Sequence, residues 1–484
     1  MEEEPNYHVI DTERLAASMY DKINNGPIIL SKGACRFSYS IFMVPQVLKD
    51  ANPEAYQPEV VSIGPYHHGH NRLKMIEEVK WHYLRSLLSR TKTSLEYLLK
   101  AMVSLESKAR ECYSKTITLS TRDFIEMMVL DGCFLIELFR KVAGLVSFEE
   151  DDPLVTMAGI LPFLCSDFLL LENQIPFFIL ERLFELPEVL GEDLTLSSIA
   201  IKFFNNSMCM PKDILDQKSS WVGNHLLDLV RTCFIPSDLN NEAMGTPRHV
   251  IKDDRVKSRC PWNHINYLKV CIAPFTSCCL LVRKVRTRFI PSHKKEEAMD
   301  KSTTPMIHCV SKLQRAGIIV TPGNNNDSIL QVKFKHGIIQ MPTITMDVSM
   351  CSFLLNCVAF EECYCYYKHF TTYLTLLDYL IKTPKDVEYL CDRNVIVNNL
   401  GTEEQVASFI NNTGREFVTH LDCGYLYDLF KEVHTYYGKR RHVHWASFKS
   451  TYFDTPWSFI SVLAAFVLLV LTAMQTFFAA YQSF

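Results

Sequence analysis

The sequence predicts a mainly α-helical protein with a large helical domain, a small β-hairpin and one C-terminal transmembrane helix. Three features predict this fold class: apolar runs with helical spacing between residues 73 and 186, one alternating run at 329–346, and an uncharged stretch from Trp457 to Ala480. Apolar residues make up 48% of the 484 positions. A chain of this composition builds a core, which excludes an intrinsically disordered protein.

Spacing and capping residues predict the helices of the N-terminal half. Apolar residues recur every three or four positions from Leu95 to Cys112, which is typical of the seam of a packed helix pair. Ser120 begins a capping box, and the run 124–139 behind it is apolar on nearly every side, so we expect a central helix there. A second apolar run, 161–186, is interrupted by Pro176 and is predicted as two buried helices.

The C-terminal half contains the β-hairpin and three further helices. Apolar and Lys or Gln residues alternate at the start of the run 329–346, and His336–Gly337 is a turn signal within it. Helices are predicted around 353–360 and 373–381, and another follows a second capping box at 402–405.

A duplicated segment separates the two halves. Residues 225–244 recur as 280–299, and both copies contain Phe-Ile-Pro-Ser and Glu-Ala-Met. Two copies are too few for a solenoid, so we expect a local duplication with one copy redundant for the fold. The predicted divisions are an N-terminal segment (1–35), a helical half (36–230), a linker with the duplication (231–305), a second half with the hairpin and helices (306–450) and a membrane anchor (451–484).

The stretch from Trp457 to Ala480 is long enough for a membrane helix, which needs about 20 apolar residues. The sequence therefore predicts a single-pass, tail-anchor-like protein of the plasma membrane or an endomembrane, with the lipid bilayer as one partner. The predicted anchor residues are Trp457, Phe466, Leu471 and Phe478.

Flanking charge predicts the orientation of that anchor. Lys439, Arg440 and Arg441 precede it, and no cation follows it, so the positive-inside rule places the large domain in the cytosol. The same three cations could instead face anionic lipid, and the two roles are compatible.

Three sequons and the cysteines bear on the same orientation. Asn205, Asn326 and Asn411 would carry sugars only if the domain were lumenal. The 17 cysteines are scattered and lie largely in apolar runs, which indicates free thiols in a reducing compartment.

The cluster His67, His68 and His70 is a weak candidate for a metal site, since neutral imidazoles bind zinc or copper. No carboxylate or thiol lies at ligand spacing, so a polar surface turn is the competing interpretation. We predict no cofactor.

Three carboxylates lie inside apolar runs: Asp131, Asp167 and Glu172. Burial raises the pKa of a carboxyl group, which suits a general acid, but no nucleophile, Gly-rich loop or oxyanion motif accompanies them. The alternative is that they are buried, hydrogen-bonded groups that fix the packing of helices, with Arg182 as a partner of Glu172.

Several stretches resemble one known family. They include 41–45, 58–69, 109–113, 123–140, 169–184, 225–229, 313–318 and the C-terminal apolar run. Together they are similar to the plant-specific "domain of unknown function 247" family, also catalogued as uncharacterised protein family 0481. The resemblance extends from about residue 14 to the end, with departures in the duplicated segment and at 347–355. It implies a mostly helical domain with a C-terminal anchor and no assigned reaction.

Charge and motifs together favour a binding function over catalysis. The 50 Lys and Arg residues nearly balance 54 Asp and Glu residues, which argues against a nucleic-acid partner. With no complete catalytic set, the sequence predicts a membrane-anchored, non-catalytic module that recognises an unknown protein partner. The alternative is a membrane-tethered, hydrolase-like enzyme that uses the buried carboxylates.

Overall fold

The computed structural model describes residues 39–185, 194–208, 210, 223–236, 239, 307–324, 326–364, 368–416, 424–438 and 456–482. Residues 1–236 and 306–484 fall in one unit of the chain and 237–305 in a second. The second unit, which includes the second copy of the duplication, lies outside the described residues except for Leu239. The predicted domain boundaries stay predictions.

Ten helices lie in the described part of the N-terminal half. They are α1 (Gln46–Ala51), α2 (Lys74–Thr91), α3 (Leu95–Val103), α4 (Glu106–Glu111), α5 (Thr121–Val142), α6 (Pro153–Thr156), α7 (Leu161–Asp167), α8 (Phe177–Glu185), α9 (Leu196–Met208) and α10 (Leu226–Phe234).

Helix α5 is the centre of this half, which confirms the predicted central helix. The Ser120 hydroxyl accepts the N–H of Asp123 and so caps the helix, as the sequence predicts. All residues from Phe124 to Lys141 are buried except Glu126. Helices α2, α3, α8 and α9 pack around α5.

The two other helical predictions of this half differ in outcome. The apolar run at 161–186 forms α7 and α8, separated near Pro176, as expected. The run from Leu95 to Cys112 is interrupted between α3 and α4 at residues 104–105. Its periodicity therefore continues across a break that local spacing does not reveal.

The described part of the C-terminal half is helical with five short strands. Its elements are α11 (Val310–Arg315), β1 (Ile319–Pro322), β2 (Lys333–Lys335), β3 (Ile338–Met341), β4 (Ile344–Met346), α12 (Val348–Cys363), α13 (His369–Leu380), α14 (Pro384–Asp392), β5 (Ile396–Asn398), α15 (Glu403–Glu416), α16 (Tyr427–Tyr437) and α17 (Pro456–Gln482).

The predicted hairpin is present as β2 and β3, which pair in antiparallel register across His336–Gly337. His336 and Gly337 both have positive φ (52° and 81°), as a two-residue hairpin turn requires. Two parallel pairings extend the strands beyond the prediction: β1 with β3, and β4 with β5. These pairings join residues distant in sequence, which periodicity does not indicate.

Asn356 on α12 connects the two halves. Its side-chain oxygen accepts the N–H of Leu171 at 2.9 Å, and its amide nitrogen donates to the carbonyl of Ala55 at 2.9 Å. The side chain is fully buried, so these bonds satisfy polar groups that water does not reach. Helix α12 also packs against α7 and α10.

The structure corrects the predicted transmembrane helix. Helix α17 runs from Pro456 to Gln482. Within the part of the chain that the structure describes, no helix combines the length and the apolar composition that a membrane span needs. The predicted single-pass tail anchor and its contact with the bilayer are withdrawn.

The structure describes the side chains of two of the four residues assigned to that anchor. Phe466 and Leu471 lie on α17 with side chains 64% and 50% exposed. The side chains of Trp457 and Phe478 lie outside the described residues, as do Lys439, Arg440 and Arg441. The cytosolic orientation of the large domain stays a prediction.

Deletion of residues 245–299 is expected to leave the fold intact. The first copy of the duplication supplies α10, whose Leu227 and Val230 are fully buried, so the core needs this copy. We expect the deletion variant to keep its helical circular dichroism and to melt within about 5 °C of the full chain.

The matched control is deletion of 225–244, which removes α10 and is expected to abolish cooperative unfolding. A loss of folding on deletion of 245–299 would show that the second copy is not redundant.

Candidate functional site

The candidate site is built around residues 58–64, which belong to no helix or strand and are called here the 58–64 segment. Val61 and Ile63 are buried to 0% and 1% exposure, so the backbone beside them is removed from water. Buried N–H and C=O groups need hydrogen-bond partners. Side chains from α2, α5 and the end of α7 supply these partners.

Asp167, at the end of α7, accepts three successive backbone N–H groups of the segment. Glu59 N donates at 2.9 Å to one carboxylate oxygen, and Val60 N and Val61 N donate at 2.8 and 2.9 Å to the other. Burial raises the pKa of Asp167 to about 6, and the three N–H bonds oppose this rise. Both oxygens are therefore occupied in holding the segment.

Asn173 continues the same set of bonds. Its side-chain oxygen accepts the N–H of Ile63 at 2.7 Å, and its amide nitrogen donates to the carbonyls of Val61 at 3.1 Å and Asp167 at 2.9 Å. The side chain is 1% exposed. A single amide thus connects the segment to the turn after α7.

Asp131 on α5 and Lys80 on α2 form a buried ion pair at the end of the segment. Asp131 accepts the N–H of Gly64 at 2.8 Å and lies 2.6 Å from the Lys80 ammonium. The ammonium also donates to the carbonyl of Ser62 and to the carboxylate of Glu77. Burial raises the pKa of Asp131, and Lys80 opposes the rise.

Gly64 lies in close contact with the corner after α7. Its φ is +77°, and an added Cβ would lie 2.3 Å from the carbonyl oxygen of Gln174. That oxygen accepts the Tyr113 hydroxyl at 3.0 Å, while the Gln174 side-chain oxygen accepts the N–H of Leu227 at 3.3 Å. Only glycine fits this position, and the corner it contacts also holds α10.

Glu172 fixes the start of α1 rather than the 58–64 segment. Its carboxylate accepts the N–H of Val44 at 2.6 Å and lies 2.8 Å from the Lys49 ammonium. His67 Nε2 lies 3.8 Å away. Burial, His70 and Lys49 lower the pKa of His67 to about 4, so the imidazole is neutral at pH 7.

The histidine cluster does not assemble a metal site. The rings of His67 and His70 are 5.8 Å apart, and His68 is largely exposed. Among the described residues, no group of three His, Cys, Asp or Glu side chains is arranged to hold a metal ion. The histidines form the turn that follows the 58–64 segment.

Arg182 differs from its predicted role as a buried partner of Glu172. Its side chain is 45% exposed, and its guanidinium lies 3.4 Å from Glu185, one helical turn away. Lys49 takes the expected place beside Glu172. Pro176 ends the turn before α8, and the solvent face of α8 then carries Arg182 outward.

A second polar cluster, missed by the sequence analysis, connects α10 with α12. Arg231 lies 3.2 Å from Asp228 and 3.6 Å from Glu361. The Glu361 carboxylate also accepts the N–H and the hydroxyl of Thr371, each at 2.9 Å. The sequence signal that could have revealed this cluster is a charged residue inside an apolar run, as at Asp131.

His225 joins this cluster to the backbone at Ser40. Burial lowers its pKa to about 4, so the ring is neutral. Nε2 donates to the Ser40 carbonyl at 3.0 Å, and Nδ1 accepts the N–H of Asp228 at 3.3 Å. A neutral ring with the proton on Nε2 fits both bonds.

The three sequons lie in different settings. Asn205 and Asn411 are within helices and bond to backbone through their side chains, with Met210 N at 2.6 Å and Ala407 O at 2.7 Å. Asn326 lies in an exposed loop.

Comparisons with known proteins give one consistent result. A family model described as "Plant protein of unknown function" matches residues 41–471. The UPF0481 protein At3g47200 of Arabidopsis thaliana is 32% identical, over 93% of this chain and 88% of its own length. The putative UPF0481 protein At3g02645 of the same plant is 26% identical, over 92% and 91%. No solved structure matches the chain.

Replacing Lys80 with Met is expected to destabilise the protein by about 3–5 kcal/mol, because Asp131 is left buried without its ammonium partner. The measurement is urea unfolding of the full chain. Lys382→Met is the matched control, since Lys382 is 45% exposed beside Asp378 and its loss should cost less than about 1 kcal/mol. Equal losses would contradict the buried role of Lys80.

Gly64→Ala and Gly69→Ala separate backbone strain from close packing. Both glycines have φ near +80°, but an added Cβ meets nothing within 4 Å at Gly69. We expect a loss of roughly 1–2 kcal/mol for Gly69→Ala and at least about 3 kcal/mol for Gly64→Ala in the same unfolding assay. Similar values for the two variants would show that the contact with Gln174 is unimportant.

Proposed function

The chain belongs to the DUF247 family of plant proteins of unknown function, and from its own contacts we propose that it acts by binding a protein partner rather than by catalysis. One observation carries the proposal: Asp131, Asp167 and Glu172, the carboxylates best suited to acid–base chemistry, hold backbone N–H groups and lysines of their own fold.

These contacts of the three carboxylates with their own fold conflict with a catalytic role. A general acid or base must come within hydrogen-bond distance of a substrate atom. If Asp167 turned to a substrate, the N–H groups of Glu59, Val60 and Val61 would lose their acceptor, and the N–H of Val61 is buried. Leaving even one buried donor unpaired costs about 1–3 kcal/mol.

The solvent face of α2 supports a binding role. Trp81 and Met75 are 48% and 56% exposed there, and Arg85 is exposed on the same face. On the neighbouring α3, Tyr97 is 50% exposed. Trp, Tyr and Arg carry much of the binding free energy at protein interfaces. Helices α2 and α3 both pack against α5, so this surface rests on a rigid support.

The second candidate function is a hydrolase-like enzyme, and one observation favours it. The pKa of Asp167, raised to about 6, is near the range of a general acid. This reading requires turnover of a substrate and a loss of that turnover when Asp167 becomes Asn.

The test compares tagged full-length proteins expressed in plant cells. We expect at least one co-purifying protein whose recovery falls roughly tenfold in the Trp81→Ala, Tyr97→Ala double variant, measured by quantitative mass spectrometry. A tenfold loss corresponds to about 1.4 kcal/mol of binding free energy. The physical reason is removal of two exposed aromatic rings, one on α2 and one on α3.

The matched control is the Val155→Ala, Phe163→Ala double variant, which removes two side chains 47% and 48% exposed on α6 and α7. Recovery of the co-purifying protein with this variant should equal its recovery with the unchanged protein. Unchanged recovery in both double variants would contradict the proposed surface. Hydrolysis of an ester, phosphoester or glycoside panel that disappears in folded Asp167→Asn would favour the enzyme instead.

A further inference from the structure

A cavity of about 470 Å³ is lined by residues of α9 and α10 and by residues of the C-terminal half around β4 and the start of α12. Its size falls within the range of small-molecule sites, about 300–1,000 Å³. Its lining includes residues just before and along β4 (342–345), Asp347 directly after β4, and Asn399 directly after β5.

The lining has an apolar and a polar side. Buried Phe234, Ile329, Ile344 and Met350 form the apolar wall, with exposures of 2%, 8%, 1% and 8%. The polar residues of the lining are Ser207, Thr343, Thr345, Ser349, Asn399, Asp327 and Asp347. An apolar wall with a few polar groups is the usual composition of a site for a small organic molecule.

The charge of the lining is negative. Asp327 lies 3.3 Å from the Lys333 ammonium, so its charge is largely balanced. Asp347 accepts the N–H of Met350 at 2.7 Å as the N-cap of α12, and within the described residues no Lys, Arg or His lies within 4 Å of its carboxylate. Within the described residues, the cavity therefore contains one carboxylate that caps a helix and forms no ion pair.

This charge selects among ligands. An anion would be repelled by the Asp347 carboxylate, whose charge has the same sign. A neutral molecule would gain only the hydroxyl and amide contacts. An ammonium group would pair with Asp347 in a partly buried setting, where a charge-assisted hydrogen bond is stronger than a neutral one.

We propose that this cavity binds a small organic ammonium compound, with its charged nitrogen at Asp347 and its apolar body against Phe234, Ile344 and Met350. The inference is independent of the protein-binding role, because it involves neither α2 nor α3. The same ammonium chemistry is available from a free amine or from a lysine side chain of another protein.

Three probes with one apolar body and different head groups test the charge: 2-phenylethylamine, 2-phenylethanol and phenylacetate. In ligand-observed NMR titrations of the full chain at pH 7, we expect the amine to bind at least tenfold more tightly than the alcohol, and phenylacetate not to bind. Equal affinity for amine and alcohol, or no binding of the amine, would overturn the proposal.

Asp347→Asn locates the site without removing the helix cap, because Asn caps helices about as well as Asp. We expect this variant to bind the amine and the alcohol equally, with an unchanged melting temperature. Asp50→Asn, at an exposed acid on α1, is the control and should keep the preference for the amine over the alcohol. Retention of the preference in Asp347→Asn would place the amine elsewhere and refute the assignment.

An acetylated lysine amide, which has a free side-chain ammonium, distinguishes the sources of the ligand. Binding of 2-phenylethylamine without binding of this lysine derivative would assign the cavity to free amines. Binding of both, each lost in Asp347→Asn, would extend the assignment to lysine side chains.

Discussion

The 58–64 segment imposes the constraint on which the N-terminal half depends. Its residues from Val61 to Gly64 are buried, yet the segment belongs to no strand that could satisfy its N–H and C=O groups. Asp167, Asn173, Asp131 and Lys80 take over that task from three directions. Because each of them contacts the same short piece of backbone, the helices that carry them are fixed relative to one another.

The same contacts give a physical reason for the acidic residues in apolar surroundings. A buried carboxylate is stable only with a compensating charge or several hydrogen-bond donors. Asp131 has Lys80 and one N–H group, and Asp167 has three N–H groups. Groups that resemble general acids in the sequence thus serve as acceptors for backbone N–H groups. The functional surfaces that we propose are instead the outer face of α2 and the cavity at Asp347.

The two halves of the chain are joined by polar contacts of the same type. Asn356 on α12 forms hydrogen bonds with the backbone of two separate parts of the N-terminal half, and Arg231 on α10 forms an ion pair with Glu361 on α12. In a low-dielectric interior an unpaired polar group is costly, so such contacts favour one arrangement of the halves over others. The first copy of the duplicated segment is part of this junction through His225.

The sequence by itself determined the features that depend on neighbouring residues: the central helix after Ser120, the break near Pro176 and the turn at His336–Gly337. Capping, proline geometry and alternation act over a few positions, so local patterns record them. Only the tertiary structure decided which partners the buried charges take. Lys80 rather than a nearby residue pairs with Asp131, Lys49 rather than Arg182 pairs with Glu172, and β4 pairs with β5. These contacts join residues about 50 to 120 positions apart, and their geometry is set by packing, which a linear pattern does not encode.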